Sequence, residues 1–284
     1  EGVWKRNWLT NHGPLVSEFE LKMKNYLKLP HMLFLGNGTI SLQIAIKALD
    51  LKGEIITTPF SYVATTSSIV WENCKPVFVD IDAASFNINA SLIEEKITPK
   101  TTAILATHVF GNPCDIETIN QIAKKHNLKV IYDAAHCFGT QYKNESIFKF
   151  GDIATTSFHA TKLFHTVEGG AVFTQDPDLL KRLAFHANFG HETPTSFAYV
   201  GINGKNSEFH AAMGLTNLKY VEDILASRKA LSSMYDEALV GLSFTKQKIN
   251  EHAKFNFAYY PILLKNEKEA IKVQQALNAA EIFP

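Results

Sequence analysis

Apolar runs typical of buried strands alternate with helical patterns along most of this chain, and that alternation constrains the fold more than any other feature. Strands are predicted over residues 54–59, 76–80, 103–107, 129–132, 153–158 and 171–174. Helices are predicted over residues 17–27, 40–49, 60–72, 90–97, 115–126 and 177–186. Such alternation is typical of an α/β fold in which a mostly parallel sheet is covered by helices on both faces.

The sequence after residue 200 predicts a second, smaller unit. It contains a helix that opens near residue 207, a strand over 254–265 and a helix over 267–280. Pro261 inside the strand indicates a sheet edge or a bulge. We predict a large domain over 1–228 and a small α/β domain over 229–284. Because the chain has no initial methionine and stops abruptly, we expect a fragment that lacks much of the small domain.

The composition argues against several classes of protein. The 284 residues carry 28 Lys and Arg and 28 Asp and Glu, and this balance argues against nucleic acid or an anionic membrane as the partner. No apolar run approaches the roughly 18 residues of a membrane helix, and no signal-peptide pattern opens the chain. Cys74, Cys114 and Cys137 lack metal-ligand spacing, so we expect no metal site, reduced thiols and a cytoplasmic location.

A lysine within segment 155–174 is the first candidate for catalysis. A β-branched run leads into a small polar loop that carries Lys162, and a glycine pair and a second apolar run follow. Burial lowers the pKa of a lysine ammonium, and the neutral amine is a nucleophile suited to Schiff-base formation. Ser157, five residues earlier, could hold an anionic group beside it. A solvated surface lysine is the simpler alternative when this residue is considered alone.

A second candidate lies at the end of the strand predicted over 129–132. Asp133 follows this strand directly, and ligands of open α/β sheets gather at the carboxyl ends of the strands. A carboxylate there can pair with the ring nitrogen of pyridoxal phosphate and keep it protonated, which makes the ring an electron sink. His136 is a core histidine or a hydrogen-bond partner for a cofactor, since a metal role lacks a second ligand at suitable spacing.

Two predicted helix starts carry capping patterns. Ser17, with Glu20 three residues later, forms a candidate capping box. Gly38, Thr39 and Ile40 open the next helix after a turn, and free N–H groups at a helix N-terminus can hold a phosphate. Most sequences of this kind are plain capped turns. The G-x-G-x-x-G spacing is missing, so a dinucleotide site is disfavoured.

Three motifs, in this order and spacing, resemble the sugar aminotransferases of the DegT/DnrJ/StrS family, which are fold-type I pyridoxal phosphate enzymes. The motifs are Asp133-Ala-Ala-His136, Ser157-Phe-His-Ala-Thr-Lys162 and Glu168-Gly-Gly170. The resemblance extends over nearly the whole chain. It implies that Lys162 binds the cofactor covalently, that Asp133 pairs with its ring nitrogen and that His136 contacts its 3′-oxygen.

The same resemblance implies further contacts with the cofactor. The backbone of residues 38–40 would hold its 5′-phosphate, Ser157 would bind it too, and Tyr62 would stack on its ring. Asn203 would reach the phosphate in the neighbouring subunit, which implies a homodimer with shared active sites. Many relatives have an aromatic residue and an arginine where this chain has residues 204 and 205, so the contact of those two positions across the subunits stays open.

Three residues are candidates for contact with the substrate. In the resembled family, the N-terminal segment that contains Trp8 and Asn11 lies near the nucleotide-sugar pocket. An ordinary packed arm is the alternative for both residues. His108 follows a predicted strand, where loops line a ligand crevice, and is either a site residue or a core histidine whose hydrogen bonds are satisfied.

The activity implied by the resemblance is the transfer of an amino group from glutamate to a nucleotide-linked keto-sugar, for the deoxyamino sugars of surface polysaccharides. The loops near residues 8, 60, 110 and 203 most resemble enzymes that aminate carbon 4 of dTDP-4-keto-6-deoxy-D-glucose. Amination at carbon 3 would use the same catalytic set and stays open. A sugar dehydratase of the family would carry histidine in place of Lys162, and a non-catalytic regulatory relative would be favoured if Lys162 or Asp133 were missing.

Overall fold

The structure is a computed structural model and describes residues 2–284. Its strands are β1 (His31–Leu35), β2 (Glu54–Thr57), β3 (Lys75–Phe78), β4 (Thr101–Thr107), β5 (Lys129–Asp133), β6 (Gln141–Tyr142), β7 (Glu145–Ser146), β8 (Ile153–Ser157), β9 (Gly170–Thr174), β10 (His191–Thr193), β11 (Ser196–Phe197), β12 (Thr245–Lys246), β13 (Ala253–Lys254) and β14 (Ile262–Leu263). Its helices are α1 (Gly2–Arg6), α2 (Pro14–Leu27), α3 (Gly38–Ala48), α4 (Val63–Trp71), α5 (Ile116–His126), α6 (Pro177–Ala187), α7 (Glu208–Asn217), α8 (Val221–Ala238) and α9 (Glu267–Ala279).

Seven strands form the central sheet, in the order β1–β9–β8–β5–β4–β2–β3. The pairs from β8 to β3 are all parallel, whereas β9 is antiparallel to both of its neighbours. The prediction of a mostly parallel sheet is therefore confirmed. The sequence does not predict β1, because its short run (His-Met-Leu-Phe-Leu) lacks the polar and apolar alternation that marks a half-buried strand.

Side chains at alternate strand positions point to opposite faces of the sheet, and each face carries its own apolar core. One core contains Phe19 of α2, Phe34 of β1 and Phe158, which follows β8. The other core contains Ile44 of α3 and Ile131 of β5. Helices therefore cover both faces, as the alternation of elements predicts.

Two of the predicted helices differ in the structure. The segment predicted as a helix over 90–97 instead forms two 3-10 turns, Ala90–Leu92 and Glu94–Lys96. The side chain of Asn89 accepts from the N–H of Ser91 and caps the first turn. The helix predicted over 60–72 is present as α4, but it begins only at Val63.

The strand predicted over 254–265 is wrong for most of its length, and only β13 and β14 remain. Phe257 has a φ of 53°, which an extended strand does not contain. The side chain of Asn256 donates to the carbonyl groups of His136 and Phe138 at 2.8 and 2.9 Å. This segment therefore packs as an irregular chain against the loop after β5, and β13 pairs with β6. The division into domains at residue 228 stays a prediction.

The predicted capping box of Ser17 and Glu20 is wrong. Helix α2 begins at Pro14 with Gly13 as its N-cap, so both residues lie inside the helix. The Ser17 hydroxyl donates to the Gly13 carbonyl, and a carboxylate oxygen of Glu20 accepts from the N–H of Phe34 at 2.7 Å. Glu20 therefore caps the open edge of the sheet at β1. No helix within residues 2–284 is long and apolar enough to cross a membrane.

Candidate active site

The carboxyl ends of β1, β4, β5 and β8 lie at one edge of the sheet, because these strands run in the same direction. The register places Thr107 beside Asp133 and Asp133 beside Thr155. The start of α3 reaches the same edge, since a Cβ on Gly38 would lie 3.0 Å from the Cβ of Ser157. The side chains that follow these strands therefore converge, as in other open α/β sheets.

Asp133 lies on the same sheet face as Ile131 and is only 6% exposed. Its Oδ2 accepts a hydrogen bond from Thr65 Oγ1 at 2.7 Å, and its Oδ1 accepts one from the N–H of Ala135 at 3.2 Å. Burial raises the pKa of Asp133, while the two hydrogen bonds and the charge of Lys162 lower it. A buried carboxylate of this kind is stabilised by a cationic partner.

Lys162 is half-buried in the loop between β8 and β9. Its N–H donates to the carbonyl of His159 at 2.9 Å, and the buried rings of Phe158 and Phe164 anchor the loop in the core. Burial lowers the pKa of Lys162, and the charge of Asp133 opposes this shift. A larger fraction of its amine is therefore neutral near pH 7 than in a solvated lysine, as nucleophilic attack requires.

Lys162 and Asp133 line one cavity of about 590 Å³. The rest of its lining is formed by Asn37, Gly38, Thr39, Leu42, Tyr62, Ala64, Ala135, His136, Thr155, Thr156, Ser157, His159, Thr161 and Glu168. The structure thus brings together all the predicted cofactor residues except Ile40 and Asn203.

One end of the cavity offers backbone donors. Asn37 caps α3, and its Oδ1 accepts from the N–H of Ile40 at 2.8 Å. The N–H of Ile40 is therefore already bonded within the chain, so its predicted contact with a phosphate has no support in the structure and stays a prediction. In the part of the chain that the structure describes, the N–H groups of Gly38 and Thr39 have no acceptor. These two groups and the Ser157 hydroxyl can hold an anion at the N-terminus of α3.

Glycines allow the start of α3 to approach the strands this closely. A Cβ on Gly170, the first residue of β9, would lie 2.4 Å from the carbonyl carbon and oxygen of Asn37. A Cβ on Gly38 would lie 3.0 Å from that of Ser157. No side chain fits at the first distance without a shift of the backbone. A glycine is therefore needed at the second glycine position of the Glu168-Gly-Gly170 motif, because any side chain there would clash with the Asn37 carbonyl.

His136 contributes to the wall of the cavity. Its Nδ1 is buried and has no hydrogen-bond partner among residues 2–284. Its ring packs against Tyr259 at 4.5 Å and Phe110 at 6.2 Å between centroids. Burial, followed by the charge of Lys162, lowers the pKa of His136 to about 4, so the ring is neutral near pH 7. Because buried polar groups are usually hydrogen-bonded, this unpartnered nitrogen on the cavity wall can bond to a ligand in the cavity.

Tyr62 is the N-cap residue of α4, and 76% of it is exposed although it lines the cavity. Because the Tyr62 ring is this exposed, a flat aromatic ligand can stack on it without displacing other side chains. This placement fits the predicted stacking position.

The structure does not bring His108 to the cavity, where one of its two predicted roles would place it. It is 0% exposed and does not line the cavity. Its Nδ1 accepts from the N–H of Cys114 at 3.0 Å, and its ring stacks on Tyr132 at 4.5 Å between centroids. Burial lowers the pKa of His108 to about 3, so it is a neutral core histidine. Its Nε2 is buried and has no hydrogen-bond partner within residues 2–284, so His108 lies in the core but its hydrogen bonds are not all satisfied, although the alternative interpretation expects them to be.

The structure does not bring Trp8 or Asn11 to the lysine cavity of the same chain. Trp8 is 48% exposed. Asn11 lines a separate cavity beside Lys205 and Asn206. Their predicted contact with the substrate therefore has no support within one chain.

The loop predicted to reach the neighbouring subunit is anchored in its own chain. The carbonyl of Gly204 accepts from the N–H of Gly36 at 2.8 Å, and the Asn206 side chain donates to the carbonyl of Glu168 at 3.2 Å. Asn203, by contrast, is exposed and does not line the cavity of its own chain. The loop therefore positions the end of β1 and leaves Asn203 open to contacts outside the chain.

Sequence reasoning missed the hydroxyl groups around Asp133. Thr65 donates to the carboxylate, Ser61 bonds to Thr65, and Thr107 bonds to Ser61. The signal was available, because Thr107 and Asp133 both end parallel strands, and Ser61 and Thr65 are four residues apart at a helix start. Within the described residues, no cluster of three or more His, Cys, Asp or Glu side chains could hold a metal ion.

The cavity fits a phosphorylated, cationic aromatic ring. Two free N–H groups and a hydroxyl lie at one end, the buried carboxylate of Asp133 can hold a ring N–H, and Lys162 supplies an amine. The exposed ring of Tyr62 and the orphaned nitrogen of His136 suit the face and the edge of such a ring. Pyridoxal phosphate has each of these features.

The profile of the DegT/DnrJ/EryC1/StrS aminotransferase family matches residues 1–283. The chain belongs to this family. It is a pyridoxal phosphate-dependent aminotransferase with the fold-type I architecture.

Named relatives of this aminotransferase act on different sugars. It is 42% identical over 268 residues to the dTDP-4-amino-4,6-dideoxy-D-glucose transaminase of Shigella dysenteriae. This match covers 94% of this chain and 73% of the relative. It is 35% identical over 228 residues to the dTDP-3-amino-3,6-dideoxy-alpha-D-galactopyranose transaminase of Aneurinibacillus thermoaerophilus. This match covers 79% of this chain and 63% of the relative. The crystal structure of DesI in the presence of its TDP-sugar product superposes with a TM-score of 0.94 at 31% identity, over 99% of this chain and 73% of DesI.

Proposed function

We propose that this aminotransferase moves the amino group of glutamate to carbon 4 of dTDP-4-keto-6-deoxy-D-glucose. The observation that carries the reaction type is the cavity shared by Lys162 and Asp133. The 42% identity with the Shigella transaminase supports the nucleotide-linked sugar and the carbon. The product would serve the cytoplasmic synthesis of deoxyamino sugars for surface polysaccharide.

We assign the residues of the cavity as follows. Bound pyridoxal phosphate supplies an electron sink that stabilises negative charge on the carbon atom next to the nitrogen. Lys162 holds the cofactor through Nζ, and its neutral amine, once the amino donor has released it, accepts the proton from the α-carbon of the donor. Asp133 holds the ring nitrogen in its protonated form through a charge-assisted hydrogen bond.

The remaining cavity residues position the cofactor in this proposal. Gly38, Thr39 and Ser157 bind its phosphate with two N–H groups and a hydroxyl. Tyr62 covers one face of the ring, and His136 offers a neutral imidazole to its oxygen. The polypeptide therefore fixes both ends of the cofactor before the sugar binds.

We also propose a homodimer in which each cavity is completed by the partner. Asn203 is exposed and lies outside the cavity of its own chain, and Trp8 and Asn11 lie outside it as well. If Trp8 and Asn11 contact the sugar and Asn203 contacts the phosphate, all three do so in the cavity of a second copy. The exposure of Asn203 on an anchored loop supports this arrangement.

The second candidate function is amination at carbon 3, which the 35% identity with the Aneurinibacillus transaminase favours. Carbon 3 and carbon 4 are adjacent on the hexose, so a flipped sugar ring brings either ketone to the same amine. Lys162 and Asp133 therefore cannot distinguish the two reactions. The residues around the sugar must do so.

Separate incubation with the 4-keto and the 3-keto dTDP-sugar, each with glutamate, tests this proposal. We expect only the 4-keto sugar to be consumed, with the new amine located on carbon 4 by NMR. Turnover of the 3-keto sugar alone would overturn the carbon assignment. Loss of a sugar hydroxyl without consumption of glutamate would instead identify a dehydratase, and binding of both sugars without any reaction would indicate a regulatory relative.

A further inference from the structure

Three hydroxyl groups form a continuous hydrogen-bonded chain that ends on Asp133. Thr65 Oγ1 donates to Asp133 Oδ2 at 2.7 Å. Ser61 Oγ lies 2.6 Å from Thr65 Oγ1, and Thr107 Oγ1 lies 2.9 Å from Ser61 Oγ. Thr65 is 0% exposed and Thr107 is buried, so water competes poorly for these bonds.

The fold explains why the three groups meet. Thr107 and Asp133 are register partners at the ends of β4 and β5, so their side chains leave the same face of the sheet side by side. Ser61 lies in the turn before α4, and Thr65 lies in the first turn of that helix. One turn of chain therefore brings two hydroxyl groups over the carboxylate.

The protons in this chain can point in only one direction when Asp133 is ionised. A hydroxyl group has a single proton to donate, and Thr65 gives its proton to the carboxylate. Ser61 must then donate to Thr65, and Thr107 must donate to Ser61. Hydrogen bonds aligned in this way polarise one another, so the carboxylate accepts a stronger bond than an isolated threonine would give.

We propose that Thr65, Ser61 and Thr107 are positioning residues that hold Asp133 in its ionised form and thereby keep the proton on the ring nitrogen of the cofactor. The proposal rests on the assignment of Asp133 to the ring nitrogen. Burial opposes ionisation of this carboxylate, and the hydrogen bond from Thr65, at the end of the hydroxyl chain, acts in the other direction together with the N–H of Ala135 and the charge of Lys162. Without Thr65 the less stabilised carboxylate would take the proton from the ring.

The test uses enzyme reconstituted with pyridoxal phosphate that carries ¹⁵N in the ring, and it needs no sugar. In Thr65→Val, which keeps the shape and removes the hydroxyl, we expect the ¹⁵N resonance to move towards its unprotonated position. Ser61→Ala should move it in the same direction by less, and Thr65→Ser should restore the wild-type value. Thr66→Val, at the neighbouring position of α4, is the matched control and should leave the resonance unchanged.

Three results separate failure of this proposal from failure of the site assignment. A holoenzyme of Thr65→Val with the wild-type ¹⁵N resonance and the wild-type pH dependence would overturn the positioning role. If Asp133→Ala also leaves the resonance unchanged, the assignment of Asp133 to the ring nitrogen is wrong instead. Should Thr65→Val fail to fold, Ser61→Ala decides, because it keeps the bond between Thr65 and Asp133, and an unchanged resonance in that variant overturns the chain.

Discussion

At the scale of single residues, burial acts in opposite directions on the two ionisable groups of the cavity. It lowers the pKa of Lys162 and raises the pKa of Asp133, and the charge of each group opposes the shift of the other. An amine with a lowered pKa is the nucleophile of the pair, whereas a carboxylate that must stay ionised needs hydrogen bonds. The cavity provides both conditions within one cluster of loops.

Replacement of Lys162 by alanine should abolish the covalent link to the cofactor and leave the fold intact, because the side chain is only half-buried. We expect no visible absorption band that borohydride traps and no cofactor-labelled peptide in the mass spectrum. Lys219→Ala, which removes an exposed lysine, should retain both signals. A trapped chromophore in Lys162→Ala would mean that another amine holds the cofactor.

Residue-level prediction worked best where the chemistry requires one residue type in one place. Lys162, Asp133, Ser157 and His136 are placed together as the motifs predict. His108 could not be decided in this way, since its position after a strand fits a core and a site equally. Its stacking on Tyr132 and its complete burial, which no local pattern reveals, place it in the core of the chain.

At the scale of elements, Glu20 links α2 to the edge strand β1. Its carboxylate is buried, accepts from the N–H of Phe34 and lies 3.4 Å from the imidazole of His12. Burial raises the pKa of Glu20 from 4.5 to about 7, and burial also lowers the pKa of His12, so His12 compensates little of this cost near pH 7. The link between helix and strand is therefore most favourable when Glu20 is protonated.

The pH dependence of stability should reveal this link. Since the pKa of Glu20 is raised in the folded state, its contribution is complete below pH 4.5 and is lost as the pH rises through about 7. Glu20→Gln, which mimics the neutral acid, should therefore match wild type near pH 4.5. Above pH 7 it should be more stable than wild type in urea unfolding, by up to about 3 kcal/mol.

Glu18→Gln on the same helix is the control. Its carboxylate pairs with Lys22 at the surface, so the substitution should cost less than about 1 kcal/mol at any pH. Parallel pH profiles for wild type and Glu20→Gln would contradict this account.

A second prediction at this scale concerns the approach of β9 to the start of α3. In Gly170→Ala the new Cβ would lie 2.4 Å from the Asn37 carbonyl and 2.7 Å from the N–H nitrogen of Gly38, so the anion-binding turn must move. We expect the dissociation constant of the cofactor to rise at least about tenfold, which corresponds to about 1.4 kcal/mol. Gly36→Ala is the control, since its nearest neighbour would be 3.7 Å away. An absorbance titration measures both, and equal affinities would contradict the steric argument.

Elements were predictable from sequence where periodicity and tertiary packing agree. The central strands β4, β5, β8 and β9 and the amphipathic helices α5 and α6 follow from their apolar runs. The capping box failed because Glu20 is used by another element, and no local pattern reveals a partner fourteen residues away in the chain. The last strand failed because Asn256 bonds to the loop after β5 and draws the chain out of the extended conformation.

At the scale of the whole molecule, the loop with Asn203 has two tasks. The carbonyl of Gly204 accepts from the N–H of Gly36, and the Asn206 side chain donates to the carbonyl groups of Leu35 and Glu168. These bonds stabilise the cavity of the same chain. Asn203 itself is exposed and does not line that cavity, so it is available to a second copy. Loss of Asn203 should therefore damage the partner's site and spare the fold.

Mixing two defective proteins tests whether the cavities are shared. Lys162→Ala lacks the amine in its own cavity, whereas Asn203→Ala lacks a contact that the proposal places in the partner's cavity. After the two are unfolded together and reassembled at random, half of the dimers should be mixed, and each mixed dimer should contain one intact cavity. Activity should therefore recover to about a quarter of the wild-type value per cavity, because closed two-fold assembly gives each chain one partner.

The matched control is a mixture of Asn203→Ala with a double variant that carries both Lys162→Ala and Asn203→Ala. No pairing in this mixture contains an intact cavity, so its activity should not exceed the residual rate of Asn203→Ala. If mixed dimers form and the activity stays at that residual rate, each cavity is complete within one chain and the role of Asn203 is confined to its own loop.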